Sequence, residues 1–240
     1  MNKLSSLSAF FPCYNEADNI DQLIKQALEI FPRFANEFEI IIVNDGSKDR
    51  TGKVADQLAS SDYRIRVHHQ ENLGYGGAVK AGLAACRYDW IFFTDSDLQF
   101  DLAELSKFVE QASQADFIIG YRTKRADGWR RTLNARLLKV WDFLFLGLPF
   151  AIKDINCAFK LMRRESLQKC LPLRSNGAMV STELLIKAYL SGARFVQIGV
   201  THFPRIHGEQ TGGKPMVIGK AVRETVGVWQ ELRKFKRGSS

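Results

Sequence analysis

The chain has 240 residues, 45% hydrophobic and 25% charged, which suits one large α/β domain, or a domain with a small appendage, and allows a full core. Its four cysteines, Cys13, Cys86, Cys157 and Cys170, form no C-x-x-C pair, so neither a zinc site nor a disulfide framework is expected and a reducing cytoplasm is. The net charge of +8 is concentrated in two segments. Residues 121–140 set Arg122, Lys124, Arg125, Arg130, Arg131, Arg136 and Lys139 against Asp127, and residues 214–240 set seven Lys or Arg against Glu224 and Glu231.

Met1–Phe11 has one lysine and too short an apolar run before Pro12 for a signal peptide. The apolar run Phe143–Ile152 has ten residues, where a membrane span needs about 20. No spanning segment is expected.

Strand-like "LSAFFP" leads into "DNIDQLIKQALEIF", where Ile20, Leu23, Ile24, Ala27, Leu28 and Phe31 recur at helical spacing behind an expected Asp18 cap. Then follow "FEIIIVN", a helix near Thr51–Ala59, "RIRVHH", a helix near Ala78–Ala85, "WIFFT", a helix near Leu102–Ala112, and "DFIIG". Such alternation predicts a largely parallel sheet with helices on both faces, and ligands at the carboxyl ends of the strands. Four polar loops should then share one rim: "PCYNE", "NDGSKDRT", "ENLGYGG" and "TDSDLQ".

Beyond Tyr121 the pattern is less regular. A basic loop, an apolar helix around Leu133–Leu146, the stretch "IKDINCAFKLMRRE", a helix near Thr182–Leu190, strand-like "RFVQIGV" and a polar loop follow in turn. From Val217 the sequence reads as a last helix, with Ile218, Val222, Thr225, Trp229 and Leu232 on one face and basic residues round it. Such a helix suits either a membrane surface or packing on its own domain.

Asp95 and Asp97 end the fourth strand one residue apart. Two ionised carboxylates in a dry site repel unless a cation lies between them. Mg2+ or Mn2+ would accept both, leaving coordination for a diphosphate, with Gln99 two residues on to hold a phosphate oxygen or a metal-bound water. Asp45 is placed to accept hydrogen bonds from a base or ribose. No G-x-x-x-x-G-K-[ST] loop is present.

In order, P-x-Y-N-E, N-D-G-S-x-D and D-x-D-x-Q resemble the family 2 inverting glycosyltransferases of GT-A fold. Arg122 after "IIGY", "DINCAFKLMRR" and "PRIHGE" resemble the branch of dolichol-phosphate mannose synthases and polyprenyl-phosphate glycosyltransferases. The resemblance covers roughly residues 8–215 and implies an α/β GT-A domain with a Rossmann-like, mostly parallel sheet flanked by helices. A nucleotide-sugar half (about 1–120) and an acceptor half (about 121–215) would precede a basic amphipathic helix and tail (216–240).

The resemblance further implies a metal-dependent inverting hexosyltransferase moving a sugar from a nucleotide sugar, such as GDP-mannose or a UDP-glucose-like donor, to a polyprenyl or dolichyl phosphate. Pro12, Tyr14, Glu16 and Asp45 would surround the nucleoside; Asp95, Asp97 and Gln99 the metal and diphosphate. Arg122, Arg131, Arg205 and His207 would gather round the donor diphosphate and acceptor phosphate, since guanidinium forks pair two phosphate oxygens. A phosphate acceptor needs no general base, whereas a hydroxyl acceptor would, with Glu183 or Asp154 as candidates.

Two features depart from the resemblance. Many relatives carry transmembrane helices after the catalytic domain, and Asn44 stands where aspartate is frequent. The expected location is therefore cytoplasmic, peripheral at the inner membrane face, through contact with anionic lipid or a membrane-protein partner. The alternatives are a family 2 enzyme with a hydroxyl acceptor and a catalytically inactive nucleotide-sugar-binding protein. An aspartate-nucleophile phosphatase is disfavoured, because its D-x-D belongs on the first strand. Nucleic acid is not an expected partner, because the basic segments interleave with the predicted donor cleft.

Overall fold

The computed structural model describes residues 3–123, 140–147, 151–205 and 215–238, with backbone only for 215–223 and 237–238. Seven strands form one sheet: β1 (Leu4–Cys13), β2 (Ala35–Asp45), β3 (Ile65–Gln70), β4 (Trp90–Phe93), β5 (Phe117–Arg122), β6 (Lys160–Arg163) and β7 (Phe195–Val200), in the order β3-β2-β1-β4-β6-β5-β7. All neighbours are parallel except β6, which runs antiparallel between β4 and β5. The mostly parallel α/β sheet of the sequence reading is present. The short β6, inside "DINCAFKLMRRE", was not expected as a strand.

The helices are α1 (Ala17–Ile30), α2 (Thr51–Ser61), α3 (Tyr75–Ala85), α4 (Leu105–Val109), α5 (residues 140–146), α6 (Arg164–Gln168), α7 (Val180–Leu190) and α8 (Pro215–Gly238). Helix α1 is entered through Glu16 with no side-chain cap; Asp18 lies in its first turn instead, near the positive end of the helix dipole. The expected helix near Leu102–Ala112 is shorter, a 3-10 turn over Leu102–Glu104 followed by α4. Helix α3 begins at Tyr75, so Gly76 and Gly77 of "GYGG" belong to its first turn and Gly74 is its N-cap.

The strands bury both faces, with period 2. Ala9, Phe11, Ile40, Ile42 and Phe92 join Leu23, Ile24, Phe31 and Phe108 in one core layer. Phe10, Ile41, Val43, Ile91 and Phe93 join residues of α3 and α7 in the other, together with Val228 and Leu232 of α8. Helix α8 thus packs on the domain, and its two described acids point inward. Ser175 Oγ donates to Glu224 at 3.1 Å, and Lys187 Nζ lies 3.3 Å from Glu231. Among the described residues no helix is long and apolar enough to cross a membrane.

Candidate active site

Strand order reverses between β1 and β4, the switch point at which open α/β sheets bind ligands. The loops leaving β1 and β2 hold each other there. Asn15 N–H donates to Ser47 Oγ (3.0 Å), Glu16 N–H to Thr51 Oγ1 (2.8 Å) and Ala17 N–H to Asp49 Oδ2 (3.2 Å), while Asn15 Oδ1 accepts from Lys48 N–H (2.8 Å). Asn15 has a φ of +56°, a left-handed conformation that asparagine tolerates. Pro12 lies in β1 opposite Val43, and Tyr14 stands exposed at the rim.

Asp45 is buried, and its Oδ1 accepts from Gln70 Nε2 (2.6 Å) and Leu73 N–H (2.9 Å). It therefore shapes the loop after β3. Gly46 makes that approach possible: at φ +65° a Cβ on it would stand 2.6 Å from the Asn72 backbone nitrogen.

Past Phe93 the D-x-D turn is fastened to the first loop by Ser96 Oγ, which donates to the Pro12 carbonyl at 2.8 Å. Leu98, between Asp97 and Gln99, sits at φ +58°, strain of the kind found at ligand clamps. Asp97 is buried and accepts from Gln99 N–H at 3.2 Å. Asp95 has its carboxyl pushed up, first by burial and then by the charge of Asp97, against opposing hydrogen bonding from the Tyr75 hydroxyl and the charges of Lys160 and Arg122.

Two crowded carboxylates of this kind fit a divalent cation through oxygen ligands. Among the described residues no group of three His, Cys, Asp or Glu could hold a metal by itself, so a cation at Asp95 and Asp97 would share its remaining coordination with substrate or water.

Gln99 does something the sequence did not suggest. Its Nε2 donates to the Phe203 carbonyl at 2.8 Å, and Phe203 N–H donates back to the Gln99 carbonyl at 2.8 Å. With the Phe100–His202 bridge, this stitches residues 202–205 to the D-x-D turn. Arg205 is brought in by that seam. Its guanidinium pairs with Glu16 and lies 3.6 Å from Asp97 Oδ2. Burial pushes the Glu16 carboxyl up, opposed by hydrogen bonds from Asn19 and Arg205.

Arg122, at the end of β5, forms a two-bonded fork with Asp154: Nε to Oδ2 at 2.7 Å and Nη2 to Oδ1 at 2.9 Å. Beneath it Lys160 is fully buried, donating to the carbonyls of Ile155 (3.3 Å) and Cys157, and burial pushes its ammonium down. Arg131 and His207 lie outside the described residues.

Glu183 sits in an ion-paired setting in α7. It is wholly buried, its carboxylate accepting from Arg174 N–H (3.0 Å) and Ser175 N–H (2.9 Å) and pairing with Lys187 Nζ at 2.9 Å. So enclosed, the carboxylate braces the turn that carries Arg174 and Ser175. Asp154, the other candidate base, has both oxygens on Arg122.

Three residues near the rim escaped the sequence reading. Tyr75 lies within a glycine-rich stretch that reads as a loop, and the sign of Lys160 in the sequence is a lysine inside the apolar run "AFKLM". Asp154 was considered as a base and not as the partner of Arg122.

The glycosyl transferase family 2 model matches residues 8–171. Glycosyltransferase AglD of Haloferax volcanii is 32% identical over 83% of this chain and 33% of its own length. The undecaprenyl-phosphate 4-deoxy-4-formamido-L-arabinose transferase of Pseudomonas fluorescens is 30% identical over 85% of this chain and 59% of its own. The chain thus spans between a third and three fifths of these curated relatives. In fold it is similar to glucosyl-3-phosphoglycerate synthase from Mycobacterium tuberculosis, crystallised with Mn2+, UDP and phosphoglyceric acid: 20% identity, a TM-score of 0.70, and coverage of 92% of this chain and 77% of that one. With its D-x-D turn at the switch point and a family match over more than half its length, the chain belongs to glycosyl transferase family 2.

Proposed function

We propose that this protein transfers a hexose from a nucleotide sugar to a polyprenyl phosphate, with inversion at the anomeric carbon. The observation that carries the acceptor choice is the state of the two candidate bases: Glu183 and Asp154 are both ion-paired. A hydroxyl acceptor would need such a base; an anionic phosphate needs none. Similarity to a named undecaprenyl-phosphate transferase supports the same choice.

In this reading Pro12, Tyr14 and Glu16 border the nucleoside, with Asp45 shaping the adjoining loop. Asp95 and Asp97 hold a divalent cation, Mg2+ or Mn2+, which when bound offsets the charge gathering on the departing diphosphate. Gln99 fixes the turn that presents them. An acceptor phosphate oxygen forms the new bond to the anomeric carbon while the bond to the nucleoside diphosphate breaks on the opposite face. Arg205 and Arg122 are held before the substrates arrive, so their charge requires little reorganisation as the transition state forms. Arg131 and His207 are assigned to the phosphates on the resemblance alone. Residues 1–215 make the catalytic unit, and the enzyme works at a membrane face.

The test is nucleoside diphosphate release from a panel of nucleotide sugars with Mg2+ or Mn2+, with and without a short polyprenyl phosphate dispersed in detergent. Release that needs the lipid phosphate supports the reading and names the donor; equal release with a glycan or small-molecule hydroxyl acceptor and none with lipid phosphate overturns it.

A further inference from the structure

Lys160 opens β6 between the two strands that deliver the charges of the site. It stands opposite Phe93 of β4, two residues before Asp95, and opposite Ile119 of β5, three residues before Arg122. Residues directly opposite in a sheet share a face, and Phe93 and Ile119 both belong to the core layer under α3 and α7. Lys160 therefore projects its ammonium into an apolar layer, where it is wholly buried.

A buried ammonium is costly unless it is paired. Lys187, the other deeply buried lysine among the described residues, pairs with Glu183 and Glu231. Lys160 pairs with no carboxylate among the described residues. It donates instead to the carbonyls of Ile155, at 3.3 Å, and Cys157, and it lies 5.3 Å from the centre of the Phe93 ring. An apolar side chain of similar length would fill the same space at less cost, so the ammonium calls for a reason besides packing.

The reason lies in the segment to which those carbonyls belong. Residues 153–159 return the chain to the sheet, and they lie so close on β5 that a Cβ on Gly120 would stand 2.9 Å from the Phe159 carbonyl oxygen. Asp154, next to Ile155, holds Arg122 by its two-bonded fork. The bonds thus run in series, from the Lys160 ammonium to the Ile155 and Cys157 carbonyls, and from the adjoining Asp154 carboxylate to the Arg122 guanidinium.

We infer that Lys160 is a positioning residue for the transfer reaction: by tying the Ile155 and Cys157 carbonyls it holds Asp154, and through Asp154 it holds Arg122 where the guanidinium meets phosphate. The inference rests on the reading of Arg122 as a phosphate-binding group given above. Displacing a group that orients substrate by about 1 Å can cost on the order of a hundredfold in rate, even when the change lies away from the chemistry.

The experiment is a cycle on the full chain of Lys160→Met, Arg122→Lys and the double variant. It reads kcat/KM for transfer to a short polyprenyl phosphate, Mn2+-dependent binding of UDP and of GDP by calorimetry, and a thermal melt. Lys160→Met should lower kcat/KM about tenfold or more, leave nucleotide affinity within about twofold, and add little to the loss when Arg122 is already lysine. Lys160→Gln, whose amide is one atom shorter and can reach at most one of the two carbonyls, serves if Lys160→Met does not fold, and should shift kcat/KM in the same direction. Unchanged kcat/KM in a folded variant would overturn the proposal, as would losses that add to those of Arg122→Lys. A fall in nucleotide binding as large as the fall in turnover would also overturn it, marking Lys160 as a prop of the whole site. Transfer by the wild type to a hydroxyl acceptor alone would remove the proposed function instead, and the same cycle read with that acceptor would then decide the role of Lys160.

Discussion

Arg205 and Asp97 face each other at 3.6 Å although 108 positions separate them, and the contact exists because Gln99 and Phe203 exchange two hydrogen bonds beside it. A carboxylate proposed to bind a cation is thus already neighboured by a guanidinium proposed to bind phosphate. The pair defines where the charge of a diphosphate would be met from both sides.

Asp97→Asn keeps an oxygen to accept from Gln99 N–H but removes the charge. Transfer should fall at least about a hundredfold, with a melting temperature near that of the wild type. Nucleoside diphosphate release beside a circular dichroism melt checks this; full activity, or activity unaffected by chelator in the wild type, would sink the metal-assisted reading. Arg205→Ala should lose acceptor-dependent release, and unchanged kinetics would remove Arg205 from the site.

The Arg122–Asp154 fork predicts non-additivity. Lysine cannot span both oxygens as a guanidinium does, so Arg122→Lys and Asp154→Asn should each lower kcat/KM about tenfold or more. The double variant should be little worse than either single one, because both remove the same fork. Independent, additive losses would show that the two act separately.

Glu183→Gln separates a base from a brace. Breaking its buried pair with Lys187 should lower stability by about 3 kcal/mol, measured by urea unfolding. The folded protein should retain wild-type kcat. A variant that folds normally and loses turnover would restore Glu183 as a catalytic group.

Asp142 gives a pH prediction. Burial pushes its carboxyl up to about 7, and among the described residues its Oδ1 has no partner, while Thr182 Oγ1 donates to Oδ2 at 2.9 Å. Between about pH 4 and pH 7 the unfolded chain has released this proton and the folded chain still binds it. Stability therefore falls as pH rises through that window and levels off above it, by up to on the order of 4 kcal/mol. Asp142→Asn should flatten this part of the profile. A melting series from pH 4.5 to 8.5 that runs parallel in the two proteins would contradict it.

Much of the nucleotide-side half was legible because its signals are local: alternating apolar strands, amphipathic helices, and polar loops that share one rim by the geometry of parallel sheets. Asp95 and Asp97 could be placed on that basis alone. What was not legible depends on long-range pairing. The partner of Gln99 Nε2, the Phe203 carbonyl 104 positions on, cannot be seen in the sequence. Glu183 is a candidate base through the resemblance alone, and the partners that surround it, Lys187 one turn on and the Arg174 and Ser175 amides, cannot be read from the sequence. Strand β6 was hidden by its four residues and by the lysine at its start.

The antiparallel course of β6 has a consequence for how the molecule could be varied. Strand β5 delivers the chain to the rim and β6 takes it back from there, and the two are adjacent, with Ile119 opposite Lys160. Everything between them is an excursion whose two ends meet at one point, its neck closed by Arg122 and Asp154. The described part of that excursion packs on the rest of the domain, with Leu146 in the core and Trp141 on Thr225, while its two ends are pinned to neighbouring strands. If it holds the acceptor, as proposed, a change of acceptor would be met between those two pins and not by a shift of the sheet.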